Sequence, residues 1–162
     1  MKTKMKNTKL LLFALAVLAF VSCDGKEPVG PGGKNVLAET EWKLVGFFDV
    51  VKGELIEIMG KECDDCYTLR FFVLSGEDLP QCRIKTTANT GTGSYRADYS
   101  NSTIEFVDTL SRTGMEELYE DGKWYYTILH SGTRTFEFEL KDVELKLYYN
   151  NRKNYLLFKS RQ

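Results

Sequence analysis

Polar and apolar residues alternate strictly along Thr135-Phe136-Glu137-Phe138-Glu139-Leu140, and the alternation resumes in Val143-Glu144-Leu145-Lys146-Leu147-Tyr148-Tyr149 after a Lys141-Asp142 corner. Period two sends successive side chains to opposite faces, so each segment is predicted to be a strand with one buried and one wet face. Asn150-Asn151-Arg152-Lys153 turns the chain into Asn154-Tyr155-Leu156-Leu157-Phe158-Lys159, and the three strands form an antiparallel meander. Further strands are predicted over 41–50, 54–58, 66–74, 81–87, 93–99 and 103–107, separated by turn-forming stretches at 75–78, 89–91 and 100–102. The expected fold is mainly β, an antiparallel meander forming a barrel or sandwich of about 8–9 strands.

One segment breaks the period. Thr113-Gly114-Met115-Glu116 fits a capping box, and Met115, Leu118, Tyr119, Gly122, Tyr125 or Tyr126, and Leu129 follow at three-to-four spacing. One short helix is predicted near residues 114–121, with Asp121-Gly122 as the place where it gives way to a strand.

The N-terminus reads differently. Lys2, Lys4, Lys6 and Lys9 precede twelve apolar residues, Leu10 to Val21. As a helix that run is about 18 Å long against roughly 30 Å of hydrocarbon, the length of a signal peptide core and too short for a membrane span. Phe20-Val21-Ser22-Cys23 resembles a bacterial lipobox, with Phe20 where Leu is usual, which implies cleavage before Cys23 and acylation of its thiol. A Pro- and Gly-rich stretch follows, containing Pro28, Pro31, Gly30, Gly32 and Gly33. The expected organisation is therefore a lipoprotein signal peptide at 1–22, a lipidated Cys23 with a flexible tether over 23–36, and a β domain over 37–162.

Loss of the leader changes the charge balance. The whole chain has 22 basic and 23 acidic residues; without the four leader lysines the mature chain carries 18 and 23, a net of −5. No Lys/Arg run offsets that, so no nucleic-acid partner is expected. Membrane attachment through the anchor is expected, with an outer-membrane location on the periplasmic or surface side.

Several segments resemble known envelope domains. Trp42-Lys43-Leu44-Val45-Gly46, Leu69-Arg70-Phe71, Asn89 with Gly93-Ser94-Tyr95, Thr113-Gly114-Met115-Glu116, Glu144-Leu145-Lys146-Leu147 and Tyr155-Leu156-Leu157-Phe158 occur in the order seen in META/HslJ-like domains. The tryptophan-led meander with an aromatic interior also resembles small lipocalin-like lipoproteins, and Cys63-Asp64-Asp65-Cys66-Tyr67-Thr68-Leu69 looks like Bacteroidetes-type lipoproteins. These resemblances imply a binding or envelope-maintenance role and supply no catalytic set. The cysteines that some META/HslJ relatives carry are replaced here by Ala88 and Glu116, so their disulfide is not transferred.

Cys63-Asp64-Asp65-Cys66 is the sharpest local motif. Two thiolates at this spacing suit zinc, but the remaining ligands would have to come from Cys82, His130 and carboxylates. A redox pair would need to open a helix, whereas this motif precedes a strand. In an oxidising compartment the expectation is a structural disulfide, either within the pair or from one of the pair to Cys82. No metal or cofactor is expected.

Glu54, Glu57, Glu62, Asp64 and Asp65 gather around one loop, where acid pairs for glycoside hydrolysis compete with a solvated surface. His130 has no sequence-evident nucleophile, and Gly91-Thr92-Gly93 reads as a hairpin turn without the Lys of a phosphate loop. Asn101-Ser102-Thr103 has N-glycosylation spacing, and Asp108-Thr109-Leu110 resembles a short bacterial O-glycosylation acceptor.

Aromatics carry the functional expectation. Phe47-Phe48, Phe71-Phe72, Tyr125-Tyr126 and Tyr148-Tyr149 are adjacent pairs, and in strands one ring of each would leave the core. Phe48, Phe72, Trp124, Tyr126 and Tyr148 are the candidate ligand or partner aromatics, unless a second layer covers them. The reading is a lipid-anchored, non-catalytic binding domain for a small apolar or carbohydrate ligand, the alternative a structural lipoprotein that docks an envelope protein.

Overall fold

The computed structural model describes residues 36–107, 110–130 and 134–161. The signal peptide, Cys23, all but the last residue of the tether and most of the Asp108-Thr109-Leu110 motif lie outside the described residues. Ten strands and one helix follow in order: β1 (Thr40–Asp49), β2 (Glu54–Glu57), β3 (Thr68–Phe72), β4 (Gln81–Lys85), β5 (Thr90–Asp98), β6 (Thr103–Phe106), β7 (Ser111–Arg112), α1 (Glu120–His130), β8 (Arg134–Lys141), β9 (Glu144–Tyr149) and β10 (Asn154–Ser160). The ladder runs β10-β9-β8-β6-β5-β4-β3-β1, and β10 pairs back onto β1. Eight antiparallel strands therefore close a barrel, which decides between the two expected architectures; β2 and β7 are short additions on β1 and β5.

β1 organises the closure. One edge pairs with β10 along its whole length, while the other is shared, Thr40 to Lys43 facing β3 and Gly46 to Asp49 facing β2. A register shift between Leu44 and Gly46 changes the parity of the strand. Trp42 and Leu44 point inward before it and Phe47 points inward after it, all three buried. At Gly46 a Cβ would collide with the Ile56 carbonyl oxygen, so β2 can approach only a glycine here.

Alternation fills the interior as expected. Phe71, Tyr95, Phe106, Phe136, Phe158 and Tyr125 are fully buried and pack largely edge-on, as in Phe71 against Tyr95 at 4.8 Å and Phe106 against Phe136 at 5.6 Å. Each such ring contributes about 1.5–3 kcal/mol of burial. One barrel end is shut by Leu37, fully buried just before β1, whose amide donates to the Tyr99 hydroxyl at 3.2 Å. The other end is shut by α1.

Three local expectations change. The helix begins at Glu120, six residues later than predicted, because Asn89 captures the preceding segment. Its side chain accepts from the Met115 amide at 2.9 Å and donates to the Met115 carbonyl at 2.8 Å, copying a strand neighbour and holding that backbone out of a helix. Thr113 bonds Asn89 and Thr90 and caps nothing, and Met115 and Leu118 of the predicted apolar stripe are exposed. Gly91-Thr92-Gly93 is not a turn but lies within β5. There Gly91 faces the Tyr126 ring and the Ser111 carbonyl, at 3.2 and 3.0 Å from where its Cβ would sit. Tyr125 and Tyr126 are both buried, since on a helix adjacent residues need not point to opposite sides.

Candidate functional site

The site is built on α1. Asp121, buried in the first turn, accepts from the Met59 amide at 2.5 Å and from the Tyr67 hydroxyl at 2.7 Å. Glu117, buried just before the helix, accepts from the Thr86 hydroxyl and from the Asn89 side-chain amide, each at 2.5 Å. Both carboxylates also lie at the positive end of the helix dipole. Gly122 makes the approach possible, because a Cβ there would stand 2.7 Å from a Glu117 carboxylate oxygen. Tyr67 adopts a left-handed backbone, φ 55°, to reach this network. Burial first, and then the Asp121 carboxylate, push its phenol well above the usual tyrosine range. Tyr125 and Tyr126 complete the attachment by donating to the carbonyls of Thr68 (3.0 Å) and Leu110 (2.7 Å).

This fixed helix presents Trp124. The indole is 49% exposed and stands edge-on against buried Phe47, centroids 5.9 Å apart at 83°. Between them and the adjacent strands runs an apolar groove of about 160 Å³, lined by Phe48, Ile56, Ile128 and Tyr149 and edged by Asp49 and Asn154. Tyr149 also lines a second hollow of about 410 Å³, where Tyr148, Asn150, Asn151 and Arg152 face Arg134 and Glu137. Asn150, Asn151 and Arg152 are all left-handed, φ 52–62°, which bends the β9–β10 turn over this hollow. Thus Phe48, Trp124 and Tyr148 are gathered on one connected surface.

The outer wall beside it is an aromatic ladder in register: Phe48 on β1, Tyr155 on β10, Tyr148 on β9. Phe48 stacks on Tyr155 at 4.7 Å, and Tyr155 meets Tyr148 at 5.2 Å. Charges saturate it. Arg152 lies 4.2 Å over the Tyr148 ring and pairs with Glu137; Lys146 pairs with Glu139 at 3.5 Å; the Tyr148 hydroxyl donates to Glu139 at 2.9 Å. That hydrogen bond holds the Glu139 carboxyl below its ordinary value, while burial and the same bond raise the Tyr148 phenol.

The other candidates disperse. Tyr126 is buried against His130 at 4.6 Å and serves the helix attachment, so it presents no ring to a ligand. Phe72 is half-buried on the outside of β3, across β1 from the Phe48–Tyr155–Tyr148 ladder. Cys63 and Cys66 form a disulfide, Cα atoms 5.3 Å apart, and Cys82 is a fully buried thiol on the inner face of β4. The disulfide loop is drawn onto β1 by Lys43, whose ammonium donates to the Cys63 and Cys66 carbonyls at 2.5 and 2.6 Å. Burial, then the Arg161 charge, lower the Lys43 pKa. In the acidic loop Glu57 pairs with Lys61 and Asp65 with Arg161, both at 3.2 Å on the surface. The buried Asp121–Tyr67 and Glu117–Asn89 network went unnoticed in the sequence; isolated Asn89 between threonines was its only signal.

No family model and no curated protein matches this sequence. Solved structures do resemble the barrel. A DUF4847 family protein from Bacteroides vulgatus, known from its crystal structure, shares 14% identity over 76% of this chain and 94% of its own, with a TM-score of 0.51. A protein from Burkholderia xenovorans, known from its NMR structure, shares 20% identity over 85% of this chain and 92% of its own, with a TM-score of 0.58. At these identities the likeness is one of fold, a β-barrel compatible with lipocalin-like architecture.

Proposed function

We propose that this protein is a lipid-anchored envelope protein whose barrel binds, without catalysis, a small apolar or carbohydrate ligand in the groove beside Trp124. The observation that carries this reading is the half-exposed indole, locked edge-on by Phe47 at the rim of an apolar groove and borne on a helix that buried carboxylates hold rigid. A large aromatic surface already fixed in place loses little entropy on binding. The interior is occupied by its own rings, which turns the ligand from the barrel lumen to its outside.

Intrinsic fluorescence tests the groove directly, because Trp42 is buried and Trp124 is the accessible indole. Titration of the purified chain with neutral saccharides and with short alkyl glycosides should quench or shift Trp124 emission saturably, and Trp124→Ala should abolish the response. A flat titration across both series sinks the small-ligand reading. Cys23→Ala should release the protein from the membrane fraction, and unchanged sedimentation would refute the anchor. One observation favours a protein partner instead: Val51, Ile56, Met59 and Leu118 are exposed at the same end, a larger apolar area than one sugar covers. Cross-linking from Val51→Cys to a single envelope protein would support that alternative.

A further inference from the structure

On the wall that continues from the other edge of β1, β3 and β4 place Arg70 directly across from Arg83. Like charges in facing positions of an antiparallel pair repel, so an anion that bridges them would be stabilising. The wall does not supply one. Across β1, Arg70 faces Glu41, but that carboxylate is held by Arg161 at 2.9 Å, and Arg161 also reaches Asp65 at 3.2 Å. Among the described residues neither Arg70 nor Arg83 forms an ion pair, whereas Arg96, Arg152 and Arg161 each do.

The two guanidinium groups are nonetheless held in place. Both lie over the Phe72 ring, Arg70 at 6.0 Å and Arg83 at 5.5 Å from its centroid, and a hollow of about 190 Å³ opens between them with Leu74 as a further wall. Ring contacts orient a cation without neutralising it. Polar groups continue from the pair across the sheet. Thr92 is the register partner of Arg83, its hydroxyl 3.2 Å from that of Ser111, and Gln81, the partner of Phe72, donates to the Ser94 hydroxyl at 3.1 Å.

We propose that this face binds an acidic sugar, with Arg70 and Arg83 clasping its carboxylate or sulfate oxyanion, Phe72 and Leu74 receiving the apolar side of the ring, and Thr92 and Ser111 meeting its hydroxyls. Guanidinium groups suit the oxyanion because their planar forks match its oxygens. The hollow is the size of a single sugar residue. The site is remote from Trp124 and does not rest on the groove or on the anchor.

Calorimetric titration of the full chain with glucuronate, glucose 6-sulfate, inorganic sulfate and glucose tests the proposal and separates the two oxyanion sources. Saturable binding of glucuronate or glucose 6-sulfate is expected in the parent and in Trp124→Ala alike, weaker binding of sulfate alone, and none of glucose in Trp124→Ala, where the groove no longer contributes. Arg70→Gln and Arg83→Gln should each weaken the acidic sugar by about tenfold or more, the loss of one charge-assisted contact. Trp124→Ala should leave that affinity unchanged. Because the pair is repulsive, Arg83→Gln should unfold at the same temperature as the parent or higher, an outcome that a structural role for Arg83 would reverse. In the Trp124→Ala background, equal affinity for glucose and glucuronate, binding of the acidic sugar that survives Arg70→Gln/Arg83→Gln, or no binding of either acidic sugar would each overturn the proposal.

Discussion

At the α1 end of the barrel, two buried carboxylates accept hydrogen bonds from chain segments far apart in sequence; at the Leu37 end, an apolar side chain is pressed into the opening and its own amide reaches Tyr99. Polar closure is demanding, because each bond must be made in one geometry or a buried group is left unsatisfied, and no buried side-chain nitrogen or oxygen among the described residues lacks a partner. Apolar closure tolerates any side chain of the right volume. The difference teaches that precision is concentrated where Trp124 must be positioned, and that the end next to Leu37 needs only to be sealed.

The largest effect expected is at the polar end. Asp121→Ala removes the charged acceptor of the Met59 amide and of the Tyr67 hydroxyl, at about 1.5–3 kcal/mol per hydrogen bond to a charged group, and should destabilise the domain by about 4 kcal/mol in urea unfolding. Asp121→Asn keeps an acceptor and should recover part of that loss. If the alanine variant unfolds at the parent's urea midpoint, the network does not hold the helix. At the other end Leu37→Ala should cost about 3 kcal/mol, the usual range for a fully buried leucine, while Leu37→Met should be close to neutral. A large cost for Leu37→Met would erase the contrast between the ends.

Smaller still is Trp124→Ala, expected to lower stability by about 1 kcal/mol through the lost contact with Phe47, because half of the indole is already in water. The smallest effect concerns the exposed turn after β5 at the Leu37 end. There the Ser100 hydroxyl and the Asn101 side chain and amide hold the Asp98 carboxyl down to about 2. Its folded-state pKa lies below the unfolded value near 4, so its contribution is present above about pH 4 and fades as pH falls toward 2. Asp98→Asn should therefore be slightly less stable than the parent at pH 6 and indistinguishable at pH 2. An NMR titration midpoint near 4 for Asp98 would contradict this.

Most of the barrel wall was legible in the sequence because an exposed polar face and a buried apolar face leave a period-two trace, as in residues 135–140 and 143–149. The closure was not, since alternation says nothing of which edges meet and the β1 bulge resets the parity that a reader would extrapolate. The helix was misplaced for a related reason. Three-to-four spacing from Met115 onward looked like one apolar stripe, but a single buried side chain, Asn89, diverts the first part into an extended path. Gly91 looked like a turn residue because its reason for being glycine, the ring of Tyr126, comes from 35 positions away. Of the candidate surface, Phe48 and Tyr148 follow from the alternation of adjacent aromatic pairs, and Trp124 from residue type alone. The partnering of Arg70 with Arg83 depends on cross-strand register, which no local pattern records.

The seam between the first and last strands also governs how this molecule is made. It brings together groups 120 positions apart, Glu41 and Arg161 among them. During synthesis, β1 waits with an open edge until β10 has left the ribosome. Such an edge invites pairing with other chains, so newly made copies depend on being kept apart until β10 can close it.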